Sequence, residues 1–215
     1  MDFRNAKELL KVCQEQGLSI SAVMLQRELT EGEQDPEETD RKMDRVLEIM
    51  KSAASTPIHT PVKSMGGLIG GEAKKISDHK DTGKGLCGDL LERAVIYAMA
   101  TLETNASMGV IVASPTAGSA GIVPGLLLAL QETYDLSDEQ IKQGLYNASA
   151  IGYLAMRNAT VAGAVGGCQA EVGIASAMAA SATVELMGGS PEQSLAAAST
   201  VLMNMLGLVC DPVGG

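Results

Sequence analysis

Two cysteines stand in stretches of small residues and are the first candidates for chemistry. Cys168 lies in GAVGGCQAEVG, residues 163–173, and Cys210 lies in VCDPVGG, residues 209–215. A structural cysteine is usually packed among large apolar residues, whereas neighbouring glycines leave a thiol accessible. Because a thiolate can act as a nucleophile or as a metal ligand, these two stretches indicate a reactive or ligating site.

A third stretch of small residues, SPTAGSAG at residues 114–121, carries hydroxyl groups instead of thiols. Gly, Ser and Thr at the start of a helix leave backbone N–H groups exposed, and such groups bind carboxylates or phosphates. Taken singly, each of the three stretches is also explained as an ordinary helix junction. Together they predict a binding site for a small anionic ligand.

Spacing alone leaves the role of the cysteines open. The chain has four, Cys13, Cys87, Cys168 and Cys210, and it lacks an N-terminal export signal, which favours reduced thiols or metal ligands over disulfides. An iron–sulfur cluster needs three or four thiolates, so two cysteines do not define one. Cys13 is predicted to be a small core residue, and Cys87 can be a reactive thiol at a helix start.

Other catalytic classes have weaker support. The GxxxxGK[ST] motif is missing, which excludes a P-loop. A cysteine–histidine nucleophile would require His59 or His79, both predicted in a polar loop. A pyridoxal enzyme would need a Schiff-base lysine, and nothing in the sequence distinguishes the candidates Lys63, Lys74, Lys75 and Lys84.

The composition restricts the classes of partner and the cellular compartment that are expected. The formal net charge of −10 argues against nucleic-acid binding, because no Lys/Arg stripe is available for phosphates. Residues 105–131 and 158–184 are nearly free of charge but rich in Gly, Ala and Ser, which favours buried helices over membrane spans. We therefore expect a cytoplasmic protein without a membrane segment.

The elements that must position these residues are predicted to be helices, and the fold class is predicted to be all-α. A single helical domain of 215 residues is expected, with N-terminal helices at 1–55, a glycine-rich loop region at 63–85 and a helical core with cluster loops at 86–215. With no Trp and one Phe, the core must be built from Ala, Leu, Val, Ile and Met.

Capping residues and apolar periodicity predict where the helices lie. Asp35 with Pro36, and Ser190 with Pro191 and Gln193, are helix-start signals. The predicted helices span 5–16, 19–28, 36 to beyond 50, 89–103, 138–157, 168–186 and 191–206. Residues 107–113 are predicted to be helical as well, and the buried stripe of 89–103 is predicted at Leu91, Val95, Ala98 and Leu102.

Six motifs give the chain a resemblance to a known family. They are FRNAKELL, GLIGGEAKK, NASMG, SPTAGSAGIVPG, GGCQAEVG and NMLGLVCDPVGG, and together they extend over essentially the whole sequence. In these motifs the chain resembles the alpha subunit of the iron–sulfur-dependent L-serine dehydratases, also called L-serine ammonia-lyases.

The resemblance implies a 4Fe–4S cluster held by three cysteines in a C-x41-C-x10-C pattern. Cys168 and Cys210 have 41 residues between them and match the first two ligands. The third ligand would fall at position 221, after Gly215, so the resemblance leads us to expect a chain shortened at its C-terminus. As it stands, such a chain is expected to lack a complete ligand set and activity.

The resemblance also implies a reaction and roles for other residues. The family deaminates L-serine to pyruvate and ammonia, with one open iron acting as a Lewis acid. Thr116, Gly118 and Ser119 would line the substrate pocket, and Gln169 and Glu171 would surround the cysteine ligands. No residue is assigned as the catalytic base.

The resemblance also implies a beta subunit as partner. In two-subunit members of the family the serine-recognition motifs, with their histidine, lie on that separate chain, and no such SSSHT-type stretch occurs here. Assembly of several copies of the chain is also compatible with the family. Two alternatives stay open: a related cluster-dependent cysteine desulfidase, and a metal-free helical module without catalysis.

Overall fold

The computed structural model describes residues 2–32 and 35–207, and all regular secondary structure within those ranges is helical. The predicted all-α class is confirmed. None of the helices found there is both long enough and apolar enough to cross a bilayer. The helices are α1 (Ala6–Gln16), α2 (Ile20–Glu31), α3 (Pro36–His59), α4 (Glu72–Asp81), α5 (Asp89–Ala106), α6 (Ile122–Tyr134), α7 (Asp138–Asn158), α8 (Gly163–Gly166), α9 (Cys168–Leu186) and α10 (Pro191–Asn204).

Backbone contacts group these helices into two compact units. The first unit combines the chain up to Met43 with the chain from Glu139 onward, and the second is Asp44–Asp138. The division into residues 1–55, 63–85 and 86–215 stays a prediction.

The first unit has a core between its N-terminal helices and α7. Phe3, Leu9 and Ile20 are fully buried there. They pack with Cys13, Val23, Met24, Tyr146 and Ala150. The apolar faces of α1, α2 and α7 thus stabilise one another, and α9 packs along α10 in the same unit.

Glu185 of α9 joins three helices of the first unit. Its Oε2 accepts hydrogen bonds from the Ile20 N–H at 3.0 Å and from Asn147 Nδ2 at 2.7 Å. Both carboxylate oxygens lie 3.4 Å from the Ser21 nitrogen. The first N–H groups of a helix have no partner within it, so this carboxylate satisfies the amino end of α2 and ties it to α7 and α9.

The N-terminal segment is anchored by Asp2 and Phe3. Asp2 accepts hydrogen bonds from the Tyr153 hydroxyl at 2.9 Å, Arg27 Nε at 3.2 Å and Arg157 Nη1 at 2.9 Å. The Phe3 ring meets the Tyr153 ring edge-on, with 5.4 Å between centroids. The hydrogen bond from Tyr153, reinforced by the two guanidinium groups, lowers the pKa of Asp2 to about 2.

The second unit is built around α5, which packs against α4 and α6. A Cβ atom on Gly121 would lie 2.5 Å from the Ala98 carbonyl oxygen, and one on Gly125 would lie 2.9 Å from the Ala94 oxygen. Glycine at both positions is therefore required for the close approach of α6 to α5. On another face, the Thr104 hydroxyl donates to the Ala53 carbonyl at 2.9 Å and ties α5 to α3.

The predicted caps are confirmed where the structure shows them. The Asp35 carboxylate accepts from the Glu38 N–H at 2.9 Å at the start of α3. Ser190 and Gln193 form a reciprocal capping box with Pro191 in the first turn of α10. The prediction of helix 168–186 matches α9 in full.

Three local predictions are wrong. Residues 107–113 form a turn and an irregular segment, so the helix ends at Ala106. His79 lies in α4 and His59 ends α3, so neither belongs to a polar loop. In α5, Leu91 and Val95 are exposed, and the buried residues are Ile96, Ala100, Thr101 and Glu103.

Replacing Glu185 by Leu is expected to lower the free energy of unfolding by about 3 kcal/mol, because the hydrogen bonds of the α2 amino end and Asn147 are lost together. Glu185→Gln keeps one acceptor oxygen and is expected to cost about 1 kcal/mol. Urea unfolding followed by circular dichroism measures both values.

The control for the two Glu185 variants is Glu15→Gln. Glu15 lies 3.6 Å from Lys11 in an exposed ion pair, so its loss should change the free energy by less than about 0.5 kcal/mol. Equal effects of Glu185→Leu and Glu15→Gln would contradict the role assigned to Glu185.

Asp2→Asn is expected to destabilise the chain in a pH-dependent way. Because the folded pKa is about 2 and the ordinary value is 3.8, the Asp2 contribution is present above pH 3.8 and is lost as the pH falls through 2. The difference in melting temperature between the parent and Asp2→Asn should therefore shrink between pH 5 and pH 2. A difference that stays constant over this range would show that the ionised carboxylate is not its source.

Candidate functional site

Cys168 is the first residue of α9, and the glycines before it form a helix junction. The stretch of small residues 163–173 is largely helical, because Gly163–Gly166 form the single turn α8. Gly167 follows with φ +76°, a conformation that favours glycine, and α9 then begins at Cys168. The thiol is half-buried and is not in a disulfide.

Close packing explains two of these glycines. A Cβ atom on Gly163 would lie 2.7 Å from the carboxyl carbon of Glu171, and one on Gly166 would lie 2.8 Å from the Ala170 Cβ. The turn of α8 therefore lies directly against the first turn of α9. This contact places the Glu171 side chain beside the backbone of α8, in the same helical turn as Cys168 and Gln169.

The amino end of α9 has no side-chain cap. Gly167 occupies the cap position and offers no side-chain acceptor to the first N–H groups. Such an end carries partial positive charge and stabilises a bound or covalently attached anion, including a thiolate. The surroundings of Cys168 are thus suited to a ligating thiolate.

Cys210, the other predicted ligand, lies outside the described residues. Within residues 2–32 and 35–207, no group of three or more His, Cys, Asp and Glu side chains is arranged to hold a metal ion. The described part of the chain therefore contributes Cys168 as the single cysteine of the predicted pair.

The hydroxyls of the SPTAGSAG stretch form a compact turn in the second unit. Thr116 Oγ1 lies 3.1 Å from Ser119 Oγ, and the Ser119 hydroxyl is also 3.4 Å from the Ser114 carbonyl oxygen. Ser119 is buried, Thr116 is half-buried and Gly118 is exposed. Asn105 Nδ2 donates to the Ala117 carbonyl at 3.1 Å and fixes the turn to the end of α5.

The helix after this turn also begins without a side-chain cap. Gly121 is the cap residue of α6 and provides no side-chain hydrogen bond. By contrast, Asn5, Ser19 and Ser190 cap α1, α2 and α10 with their side chains. The two motifs that carry the candidate site residues of the described chain thus precede α6 and α9, whose amino ends lack side-chain caps, as do those of α4, α5 and α8.

The structure brings the predicted site residues together in two sets. Thr116, Gly118 and Ser119 share one turn of the second unit, whereas Cys168, Gln169 and Glu171 share one turn of the first unit. Their assigned roles in substrate and cofactor binding stay predictions.

The other two described cysteines have different environments. Cys13 is buried, as predicted, and burial together with the nearby negative charge of Glu185 raises the pKa of its thiol to about 11. Cys87 is exposed before α5, and its N–H donates to Glu92 Oε1 at 3.3 Å. Cys13 therefore differs from Cys168 in its burial, whereas Cys87 also precedes a helix that begins at a glycine without a side-chain cap but is fully on the surface.

Sequence reasoning missed the buried carboxylate of Glu103. Glu103 is 1% exposed, and its Oε1 accepts a hydrogen bond of 2.8 Å from the Ala73 N–H in the first turn of α4. The Gly70 N–H donates to Glu72 Oε2 at 2.6 Å and lowers the pKa of Glu72. The GLIGGEAKK motif is therefore anchored by carboxylates at the amino end of α4. The sequence feature that could have indicated this contact is the acidic residue Glu103 within the mainly apolar second half of α5.

Comparison with known proteins gives one consistent family. The family model for the serine dehydratase alpha chain matches residues 15–215. A probable L-serine dehydratase alpha chain from Bacillus subtilis is 48% identical over 213 residues, covering 99% of this chain and 71% of that relative. The L-serine dehydratase alpha chain of Peptoniphilus asaccharolyticus is 43% identical over 213 residues, covering 99% of this chain and 73% of that relative.

Longer relatives match as well. The L-serine dehydratase TdcG of Escherichia coli K12 is 35% identical over 219 residues, which cover 100% of this chain and 48% of that protein. The matched region thus makes up about half of this longer relative and more than two thirds of the two alpha chains.

Gly121→Ala is expected to lower stability by about 2 kcal/mol, because the added Cβ would lie 2.5 Å from the Ala98 carbonyl oxygen and force α6 away from α5. Gly66→Ala is the matched control, since a Cβ there has no neighbour within 4 Å, and it should change stability by less than about 1 kcal/mol. Thermal unfolding compares the two, and equal melting temperatures would contradict the close approach.

Proposed function

Because the chain belongs to the serine dehydratase alpha-chain family, we propose that it is the alpha subunit of an enzyme that converts L-serine to pyruvate and ammonia. The names of the relatives support this substrate and this reaction. The observation in the structure that supports it best is the position of Cys168 at the uncapped amino end of α9.

We further propose that Cys168 and Cys210 are ligands of a 4Fe–4S cluster. The half-buried, reduced thiol of Cys168 is a suitable donor, because iron–sulfur clusters are held by thiolates and the amino end of a helix stabilises their charge. The resemblance implies a third cysteine ligand in addition to these two. When bound, such a cluster with one open iron supplies a Lewis acid that polarises the serine hydroxyl.

The chain's own residues would orient the substrate and the ligands. Glu171 and Gln169 lie in the same helical turn as Cys168, where their polar groups can hydrogen-bond around the ligating thiolate. If Ser119 donates to Thr116 Oγ1, the half-buried Thr116 hydroxyl keeps its proton for a substrate carboxylate. The N–H groups at the start of α6 add a second anion-binding element.

The overall reaction needs one proton acceptor and one departing hydroxide. Serine loses its α-proton and its β-hydroxyl as water, which leaves an aminoacrylate. That product tautomerises to an imine, and water then releases ammonia and pyruvate, so the water balance is zero. No residue of this chain is assigned as the group that accepts the α-proton.

A beta subunit completes the proposed enzyme. Two relatives are named as alpha chains, and a longer relative carries the matched region within about half of its length. We propose that the remaining substrate-recognition groups come from that second chain.

Cys168→Ala is expected to abolish pyruvate formation and to reduce bound iron, because one thiolate ligand is lost. The test uses the full native reading frame, produced anaerobically with its beta chain and reconstituted with iron and sulfide. Pyruvate is assayed with L-serine and with L-cysteine, and iron is measured by absorbance and metal analysis.

Cys87→Ala is the matched control, since Cys87 is an exposed thiol outside the proposed site. It should keep both iron and activity. Full activity of Cys168→Ala would contradict the ligand assignment. Absence of pyruvate from L-serine in the parent protein would contradict the dehydratase, and sulfide release from L-cysteine would favour the desulfidase.

A further inference from the structure

The second unit contains a cleft that no part of the proposed reaction uses. It has a volume of about 300 Å³ and lies among α3, α5 and α6. This volume is at the lower end of the range for small-molecule sites, so the cleft suits a ligand the size of an amino acid. Its lining residues are Lys51, Ala54, Ser55, Tyr97, Leu128, Gln131 and Glu132.

A positive group borders this cleft on α3. Lys51 Nζ donates to Asp138 Oδ1 at 2.5 Å, and Gln131 Nε2 donates to the same oxygen at 2.6 Å. An ammonium group has three N–H donors, so the bond to Asp138 leaves donors for a further acceptor. The Lys51 side chain is 38% exposed and can therefore be reached by a ligand.

A negative group borders the cleft on α6. Glu132 accepts hydrogen bonds from Arg93 and from the Tyr97 hydroxyl, one on each carboxylate oxygen. Each oxygen has two lone pairs, so the carboxylate can accept further hydrogen bonds. Burial and the bond to Glu132 raise the pKa of Tyr97, which keeps the phenol neutral and donating.

The combination of charges restricts the chemistry of a ligand. Each of these charges already has a partner in the protein, Lys51 in Asp138 and Glu132 in Arg93, so the group as a whole carries no net charge. A singly charged ligand would add a net charge to it, whereas a ligand with both charges would not. A ligand with both charges can satisfy both residues at once. The buried apolar side chains of Ala54 and Leu128 favour a short aliphatic portion between the two charges.

We propose that this cleft binds a small zwitterion of amino-acid size, with the ligand carboxylate on Lys51 and the ligand ammonium on Glu132. The inference rests on the lining residues alone and does not depend on a cluster or on the dehydratase reaction. The cleft proposal would therefore hold even if the proposed function were wrong, and the proposed function would hold even if the cleft bound no ligand.

Three compounds of similar size test the charge requirement. L-Alanine carries both charges, L-lactate has a hydroxyl in place of the ammonium, and isopropylamine lacks the carboxylate. Isothermal titration at millimolar concentrations measures each against the chain carrying Cys168→Ala, and the cleft variants below separate binding in the cleft from binding at the Thr116 turn and the start of α6. L-Alanine is expected to bind at least about threefold more tightly than either analogue.

Two cleft variants test the location. Lys51→Met removes the ammonium and keeps the length of the side chain, and Ser55→Leu fills the cleft. Each is expected to weaken L-alanine binding at least about threefold. Lys42→Met is the matched control, because Lys42 lies outside the cleft and pairs with Glu38 on an exposed helix face, and it should leave binding unchanged.

The proposal is overturned if L-alanine does not bind, if either analogue binds equally well, or if Lys51→Met binds L-alanine as the parent does. Should Ser55→Leu prove unfolded by circular dichroism, the Lys51→Met result decides the location by itself.

Discussion

Close approach of small residues to neighbouring helices is the constraint on which the packing of this chain depends. With no Trp and a single Phe, the core cannot be filled by large rings, so small residues must let the helices come together. In the second unit Gly121 and Gly125 admit the carbonyl oxygens of α5, and in the first unit Gly152 lies against the Met178 side chain. Because no Cβ fits at Gly121 or Gly125, the position of α6, and of the hydroxyl turn before it, follows from this packing.

Helix amino ends are treated in two ways. Side chains satisfy several of them: Glu185 reaches from α9 to α2, and the buried Glu103 reaches from α5 to α4. The ends of α6 and α9 instead begin at glycine without a side-chain cap, and they follow the two motifs that carry the candidate site residues. Exposed N–H groups at a helix start attract anions, and at α6 and α9 they lie beside the motif residues, which makes these two ends the candidates for ligand binding.

The candidate site could be predicted in part. The small-residue pattern around Cys168 pointed to chemistry, and the predicted helix 168–186 correctly placed the thiol at a helix start. The glycines before it, which were expected to leave the thiol accessible, form a helical turn packed against Glu171. Glycine has no Cβ, so it permits both an open loop and a tight contact, and its presence alone does not distinguish them.

The sequence by itself determined the helical class, the caps at Asp35 and Ser190, and the membership of a family through its motifs, because these depend on neighbouring residues. The tertiary structure decided which faces are buried. In α5 the apolar Leu91 and Val95 are exposed, while Glu103 is buried. A carboxylate is buried when a backbone N–H from a distant segment satisfies it, here Ala73, thirty residues away. Such long-range pairs, together with the cleft among α3, α5 and α6, arise only when the helices are packed.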